Sequence, residues 1–381
     1  MRPLASRMGI TRIGNVTGLD RIGIPVAVAV RPNSRSVSVS QGKGLDLAQA
    51  MTSALMEAAE GFHGEELDSR FRYAAYDDLA ARERVVDPAR LCGNGRSFEA
   101  DAQVPWIEGT DLMDGCACWV PAEIVHTDFT VKEVPAPRFF LAGGNGLASG
   151  NHLAEACVAA ICEVVERDAV ALWRAKTIRA RAQRVVDPET VDDADCRTLL
   201  DAYAKAGVSV RIFDVGADIG IAAFACEIRA PSEALPGRVH RYRGSGSHPA
   251  RAIALSRALT EAAQTRLTYI TGIRDDLDPA HYESAPALAI DEDLLIGALQ
   301  GDGQRDFREA PDFASDDIAL DLRAILERLR KAGMGEAIAV ELTRAEFGIP
   351  VVRVVIPGLE GDSSHPDYRR GARAEYARGL A

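Results

Sequence analysis

The stretch Ala160-Ile161-Cys162-Glu163-Val164-Val165-Glu166 sets two carboxylates three residues apart among apolar side chains. Acidic groups at that spacing share one face of a helix. Near-copies stand at Ala54-Leu55-Met56-Glu57-Ala58-Ala59-Glu60 and at Ala258-Leu259-Thr260-Glu261-Ala262-Ala263-Gln264. Each copy follows a pair of glycines that reads as a turn: Gly42 and Gly44, Gly146 and Gly150, Gly244 and Gly246. Thirteen residues separate Gly44 from Glu57, and thirteen separate Gly150 from Glu163. Carboxylates are rarely buried without a cation beside them. Five carboxylates and an amide on three apolar helices therefore imply a positive centre between those helices, and a metal–nucleotide complex meets that need best.

The stripes continue along each helix. Ser53, Glu57 and Glu60 stand at i, i+4 and i+7, and Arg257, Glu261 and Gln264 take the same offsets on the third helix. On the second, Glu155 lies two turns before Glu163, and Arg167 follows Glu166. Magnesium binds through one or two carboxylates plus phosphate oxygens and keeps water elsewhere. Lys43, Arg167, Arg257 and Arg266 supply charge for phosphate oxygens, and glycine turns let backbone N–H groups approach them. A lone glutamate pair is ordinarily a solvated face. Three copies on apolar helices argue against that, and a ligand-free network of Glu–Arg pairs is the serious competitor for Arg167 and Arg257.

The bulk properties exclude several classes. The net charge of −12 argues against a nucleic-acid or anionic-membrane partner, since both require a basic face. Seven cysteines without a repeating frame read as free thiols in a reducing compartment. The charged start at Met1-Arg2-Pro3 does not read as a signal peptide, and no run reaches the length of a transmembrane helix, so the expected location is the cytoplasm. At 381 residues with 47% apolar content, a large core can be filled.

Along the chain, 20–40 read as a hairpin, with Ile22 to Val30 as one strand and Val37 and Val39 in the other. A helix follows from about Asp46 to Gly61. Residues 62–136 look irregular, with one helix near Tyr76–Arg84, and 141–175 hold the second glycine turn and helix. A second hairpin pairs Val208–Val215 with Ile219–Ile228, and the third turn and helix end near Arg274. Residues 274–318 are acidic and read as a surface insertion. A helix from Asp317 to Lys331 precedes the strands Ala337–Leu342 and Pro350–Ile356 and a basic tail with Arg369, Arg370, Arg373 and Arg378. Hairpins with segregated helices define an α+β class, taken as one unit over 1–381 with its core at 15–361 and a tail at 362–381.

Other motifs carry less. Gly42-Lys43-Gly44 is not a P-loop, no GxSxG elbow is present, and Cys116-Ala117-Cys118 lacks a partner pair at zinc spacing. His248 reads as a capping surface residue.

Taken together, five elements resemble the YcaO family. They are Ser40-Gln41-Gly42-Lys43-Gly44, the Ser53/Glu57/Glu60 stripe, Asn145-Gly146-Leu147-Ala148-Ser149-Gly150-Asn151, Glu163-Val164-Val165-Glu166-Arg167-Asp168, and Arg257 through Arg266. The resemblance runs from about residue 15 to Gly361. It implies a fold that binds ATP and Mg²⁺ without a P-loop and uses ATP to activate a backbone amide of a peptide or protein. The amide oxygen takes a phosphoryl group, a nucleophile adds at carbon, and phosphate leaves. A neighbouring Cys, Ser or Thr gives an azoline, and sulfide gives a thioamide. On this resemblance Glu57, Glu60, Glu163 and Glu166 are the magnesium ligands. Lys43, Ser53, Asn151, Glu155, Arg167, Arg257, Glu261, Gln264 and Arg266 contact the nucleotide.

Azoline-forming members usually end in Pro-x-Pro-x-Pro, whereas this sequence ends Tyr376-Ala377-Arg378-Gly379-Leu380-Ala381, and a fused peptide-clasping domain has no room at the start. A separate delivery partner is therefore expected, and Ile349 to Glu360 is similar to the subgroup that works with a TfuA-type protein. Thioamidation is the expected reaction, with azoline formation and a non-catalytic ATP-binding scaffold as alternatives. The resemblance also implies a homodimer.

Overall fold

Gly42, Gly244 and Gly246 lie inside strands, not in turns. The computed structural model describes residues 2–67, 71–130, 137–231, 239–274 and 304–379. Strands β1 (Arg12–Asn15), β2 (Val26–Val30) and β3 (Val39–Lys43) precede helix α1 (Leu47–Glu65). Strands β4 (Arg72–Ala74), β5 (Val104–Asp111), β6 (Ala117–Pro121) and β7 (Leu147–Ser149) lead to α2 (Leu153–Ala175). Next come β8 (Val185–Val186), α3 (Ala194–Lys205), β9 (Ser209–Asp214), β10 (Ala222–Pro231), β11 (Val239–His248) and α4 (Arg251–Thr271). Helix α5 (Ile318–Lys331), β12 (Ile338–Glu341), β13 (Val351–Val355) and α6 (Ala372–Gly379) complete the order.

All three sheets are antiparallel, in the orders β1-β2-β3, β11-β10-β9-β8 and β4-β5-β12-β13-β7, with β6 on β5. The expected α+β class holds. Both hairpins form, but the first strand starts at Val26, and its partner runs on to Lys43 in register with Val26. Residues 62–136 are less irregular than expected: β4 to β6 lie there beside the short helix Tyr76–Ala80.

The glycines decide how strands meet helices. A Cβ on Gly42 would lie 2.1 Å from both Ala50 O and Ala54 N of α1. One on Gly244 would lie 2.3 Å from Ala258 O and Ala262 N of α4, and one on Gly246 2.2 Å from Ala254 O. Bare strand backbone therefore rests on the alanine face of each helix, which explains why alanines flank every carboxylate phrase. Gly146, in a turn with φ +80°, closes instead against Val354 O of β13 and the Val164 side chain of α2. Gly42, Gly244 and Gly246 thus hold strand to helix.

Helix ends follow local chemistry. The Asp46 side chain accepts from Gln49 N–H at 2.8 Å at the start of α1, and Gly272 ends α4 in the left-handed region. The inward faces pack into three neighbouring cores. Ala54, Leu55 and Ala58 of α1 join Trp106 and Val340. Leu255, Leu259 and Ala262 of α4 join Tyr203, Phe224 and Phe307. Ile161, Val164 and Val165 of α2 join Ile325, Leu329 and Val352.

Of the acidic stretch 274–318, residues 275–303 lie outside the described residues. Its end, though largely exposed from Asp312 to Asp317, is tied into the fold before that. Arg305 N–H donates to Val185 O at 2.8 Å, and the buried Phe307 ring stacks on Phe224 with centroids 5.6 Å apart. The tail is anchored too, for Arg373 bonds both oxygens of the buried Asp168 at 3.0 and 2.9 Å. All seven cysteines are free thiols, and among the described residues no helix is long and apolar enough to cross a membrane.

Candidate active site

The three strand–helix units turn their polar stripes toward one cleft of about 1250 Å³. Lys43 of β3 and Ser53, Glu57 and Glu60 of α1 form one wall. Asn151, Glu155, Glu163, Glu166 and Arg167 line another, and Arg257, Glu261 and Gln264 of α4 line the third. Twelve of the thirteen residues expected at the site thus meet.

Arg266 does not join them. Its Nε donates to Asp20 at 2.8 Å, and its guanidinium stacks over Tyr242. Nine residues beyond Arg257 is about two and a half helical turns, which places Arg266 on the opposite face of α4.

Contacts within the cleft hold the carboxylates in place. Ser149 donates to Glu60 Oε1 from N–H at 2.9 Å and from Oγ at 2.5 Å. Asn151 N–H donates to Glu155 at 2.8 Å, closing the start of α2. Lys43 pairs with Glu261 across the gap between β3 and α4. Ser245 of β11 donates its Oγ to Glu166 at 2.6 Å and its N–H to Glu261 at 3.2 Å. Arg167 lies 3.7 Å from Glu166 and 3.9 Å from Glu163.

Electrostatics divide these acids into two sets. Enclosure by the protein raises Glu60 to about 8, with the charges of Glu57 and Glu163 adding to it and the Ser149 bonds opposing. Glu57 opens onto the cleft and meets solvent there, yet the surrounding protein still raises it to about 7 against the opposing charge of Lys43. Burial raises Glu163 as well, partly offset by Arg167. For Glu261, burial pushes up but is outweighed by Lys43 and Arg167, which bring it down to about 2. Three crowded, under-compensated carboxylates therefore face one that is fully neutralised. That asymmetry is what a site awaiting a cation requires.

Sequence reasoning missed several lining groups. Ser149 and Gln41 line the cleft, as do His365 and Asp367 from the tail. His365 Nδ1 accepts from Asp367 N–H at 3.1 Å. Ser245 could have been found from its place between Gly244 and Gly246, whereas nothing local marks His365. Arg353 of β13 is fully enclosed behind Glu163; burial lowers it to about 10, and its Nε and Nη1 have no partner. His248 does cap: half-buried, its Nδ1 accepts from Ala250 N–H at 2.9 Å at the entry to α4, and burial, with Arg257 nearby, lowers it to about 4.

Among the described residues, no three acid, imidazole or thiol side chains already converge tightly enough to hold a metal by themselves. That suits Mg²⁺, which takes few protein ligands and relies on phosphate oxygens and water. Among the described residues Arg257 makes no ion pair and its buried Nε lacks a partner; Gln41 Nε2 is likewise unmet there. Unspent donors beside raised carboxylates fit a polyphosphate carrying a divalent cation.

Fold and site thus define a nucleotide-and-metal enzyme without a P-loop. The chain belongs to the YcaO family: residues 41–360 match the family described as "YcaO cyclodehydratase, ATP-ad Mg2+-binding". ATP and Mg²⁺ are its cofactors, and it is an ATP-dependent peptide-modifying enzyme. It is 35% identical over 380 residues to an uncharacterized protein in the tfuA 3′ region of Rhizobium leguminosarum bv. trifolii, covering 98% of this chain and 89% of the relative. An uncharacterized protein of Methanothermobacter thermautotrophicus is 34% identical, with 95% and 92% covered. Among solved structures, a heterocyclase in complex with substrate and cofactor superimposes with TM-score 0.75 at 23% identity, covering 92% of this chain and half (50%) of the heterocyclase. YcaO from Methanopyrus kandleri bound with AMPPCP and Mg²⁺ gives TM-score 0.70 at 22% identity, with 94% and 88% covered.

Proposed function

We propose that this enzyme uses ATP to activate a backbone amide of a ribosomally made peptide or protein and replaces the amide oxygen with sulfur from sulfide. The observation that carries the choice of sulfide is the 35% identical relative from the tfuA 3′ region, which spans nearly the whole chain. The amide oxygen attacks the γ-phosphorus and ADP leaves; sulfide then attacks the carbon, the C–O bond breaks, and phosphate departs with the oxygen. Amide, hydrogen sulfide and ATP thereby give thioamide, ADP and phosphate, with no atom left over.

Magnesium, when bound, neutralises charge on the transferring phosphoryl group. Glu57, Glu60, Glu163 and Glu166 would hold it. Lys43, Arg167 and Arg257 would meet phosphate oxygens. Ser53, Asn151, Glu155, Glu261 and Gln264 would position the nucleotide. Phosphoryl transfer asks mainly for aligned groups and cations at the oxygens. A separate TfuA-type protein would deliver the substrate, and the enzyme would work as a homodimer.

A second reading, azoline formation from Cys, Ser or Thr, is favoured by the word cyclodehydratase in the family's description. Intact mass of peptides and proteins from cells with and without the gene separates the two. Exchange of oxygen for sulfur adds about 16 Da, whereas loss of water removes about 18 Da. A gene-dependent loss of water overturns the sulfide reading, and no gene-dependent mass change with ATP still bound identifies a non-catalytic scaffold.

A further inference from the structure

We propose that a band of arginines leading out of the cleft, centred on Arg174 and Arg243, seats an acidic segment of the peptide substrate. The inference rests on the reading of the chain as a peptide-modifying enzyme.

Arg167 lines the cleft, and Arg174 follows seven residues later on α2. Seven residues are about two turns, so both side chains share a face roughly 10 Å apart along the axis. Strand β11 runs beside that face, as the bond from Ser245 Oγ to Glu166 shows. Arg243, two residues before Ser245, points to the same side of the strand and continues the band away from the cleft.

Arg174 is short of partners. Its Nη1 donates to Ser363 Oγ at 3.0 Å, and among the described residues it makes no ion pair and its buried Nε has no hydrogen bond. The charges that bear on it are mostly of its own sign: after burial itself, Arg243 disfavours its cation, Asp362 opposes, and Arg167 and Arg181 disfavour it further. Arg243 gives little relief. Its Nε reaches Glu227 Oε2 at 3.0 Å, while Arg229 takes Glu227 Oε1 at 2.7 Å, so one carboxylate serves two guanidiniums. A half-buried cation with only the charge of Asp362 to set against several further cations, in a protein of net charge −12, has room for an anion from outside.

The length of the band selects the anion. About 10 Å corresponds to three residues of extended peptide, whose carboxylates can meet successive guanidiniums. A single phosphate cannot span it. An acidic segment lying there would point the neighbouring chain into the cleft beside Arg167, where the amide must meet the γ-phosphate.

The test is fluorescence anisotropy with a fluorescein-labelled octaglutamate peptide and the full chain, without ATP. Saturable binding is expected, weakened at least tenfold in Arg174→Gln/Arg243→Gln, with a labelled Gly-Ser peptide of equal length showing none. Calorimetry with MgAMPPCP on the same variant should match the parent, showing that fold and cleft are intact. Absence of saturable binding overturns the proposal, as does equal binding by the variant. Displacement of the peptide by inorganic phosphate at equal charge concentration also overturns it and assigns the band to phosphate. Because no ATP or turnover enters, failure here leaves the sulfide chemistry to its own mass measurement.

Discussion

Gly244→Ala should loosen the cleft from behind. The new Cβ would sit 2.3 Å from Ala258 O and Ala262 N, both helix backbone atoms that cannot swing aside. Restoring ordinary contact requires β11 and α4 to part by about 1 Å, a gap that forfeits a large share of the contact energy between them. Leu255, Leu259, Ala262 and Ala263 pack on that side, so the cost should reach about 3 kcal/mol. With an unfolding entropy of about 2.1 cal/mol/K per residue, that lowers Tm by about 4 °C. The shift also moves Arg257 and Glu261 away from Lys43, so MgAMPPCP affinity should fall about tenfold. Differential scanning calorimetry and binding calorimetry report the two effects. Gly335→Ala is the control, because nothing lies within 4 Å of its Cβ and its φ is not positive. A Gly244→Ala protein with unchanged Tm and affinity would refute the account of strand–helix contact.

Three further outcomes follow from named contacts. Glu60 at about 8 and Glu57 at about 7 keep protons in the folded state that the unfolded chain has released above 4.5. Stability of the metal-free protein should therefore fall as pH rises from about 6.5 to 8, a window above the unfolded range of the lowered histidines His63 and His248. Excess Mg²⁺ with AMPPCP should flatten that slope, and urea unfolding across pH checks both. Arg266→Ala should cost stability through Asp20, whose side chain is 2% exposed, yet leave MgAMPPCP affinity unchanged; an affinity loss would return Arg266 to the site. Asp168→Asn should lower stability by about 3 kcal/mol or more, because Arg373 loses its buried partner, and limited proteolysis should then release the tail near Tyr368.

What was legible in the sequence was local and periodic. The stripes Ser53/Glu57/Glu60 and Arg257/Glu261/Gln264 follow from helical spacing alone, and all six residues meet in the cleft. Arg266 failed the same rule once its nine-residue offset is followed round the helix. Gly146 lies in a turn as expected, but Gly42, Gly244 and Gly246 were misread, since a single sequence does not distinguish a glycine in a turn from one in a strand under a helix. The difference is made by Ala258 and Ala262, which come into play only once β11 and α4 have met. Strands β4 and β5 escaped notice because pairing, such as Trp106 opposite both Arg72 and Pro121, makes them strands. His365 and Asp367 reach the cleft only through the anchors Glu360 and Asp168, which receive Tyr368, Gly371, Ala374 and Arg373.

The central claim is that three helices bring their carboxylates together to hold magnesium and nucleotide. Calorimetric titration of MgAMPPCP into the parent and into Glu163→Gln/Glu166→Gln tests it most directly. The account expects binding by the parent and at least tenfold weaker binding by the variant, with a cooperative thermal transition of the ligand-free variant showing that it is folded. Equal binding by both proteins, or none by the parent, would contradict it.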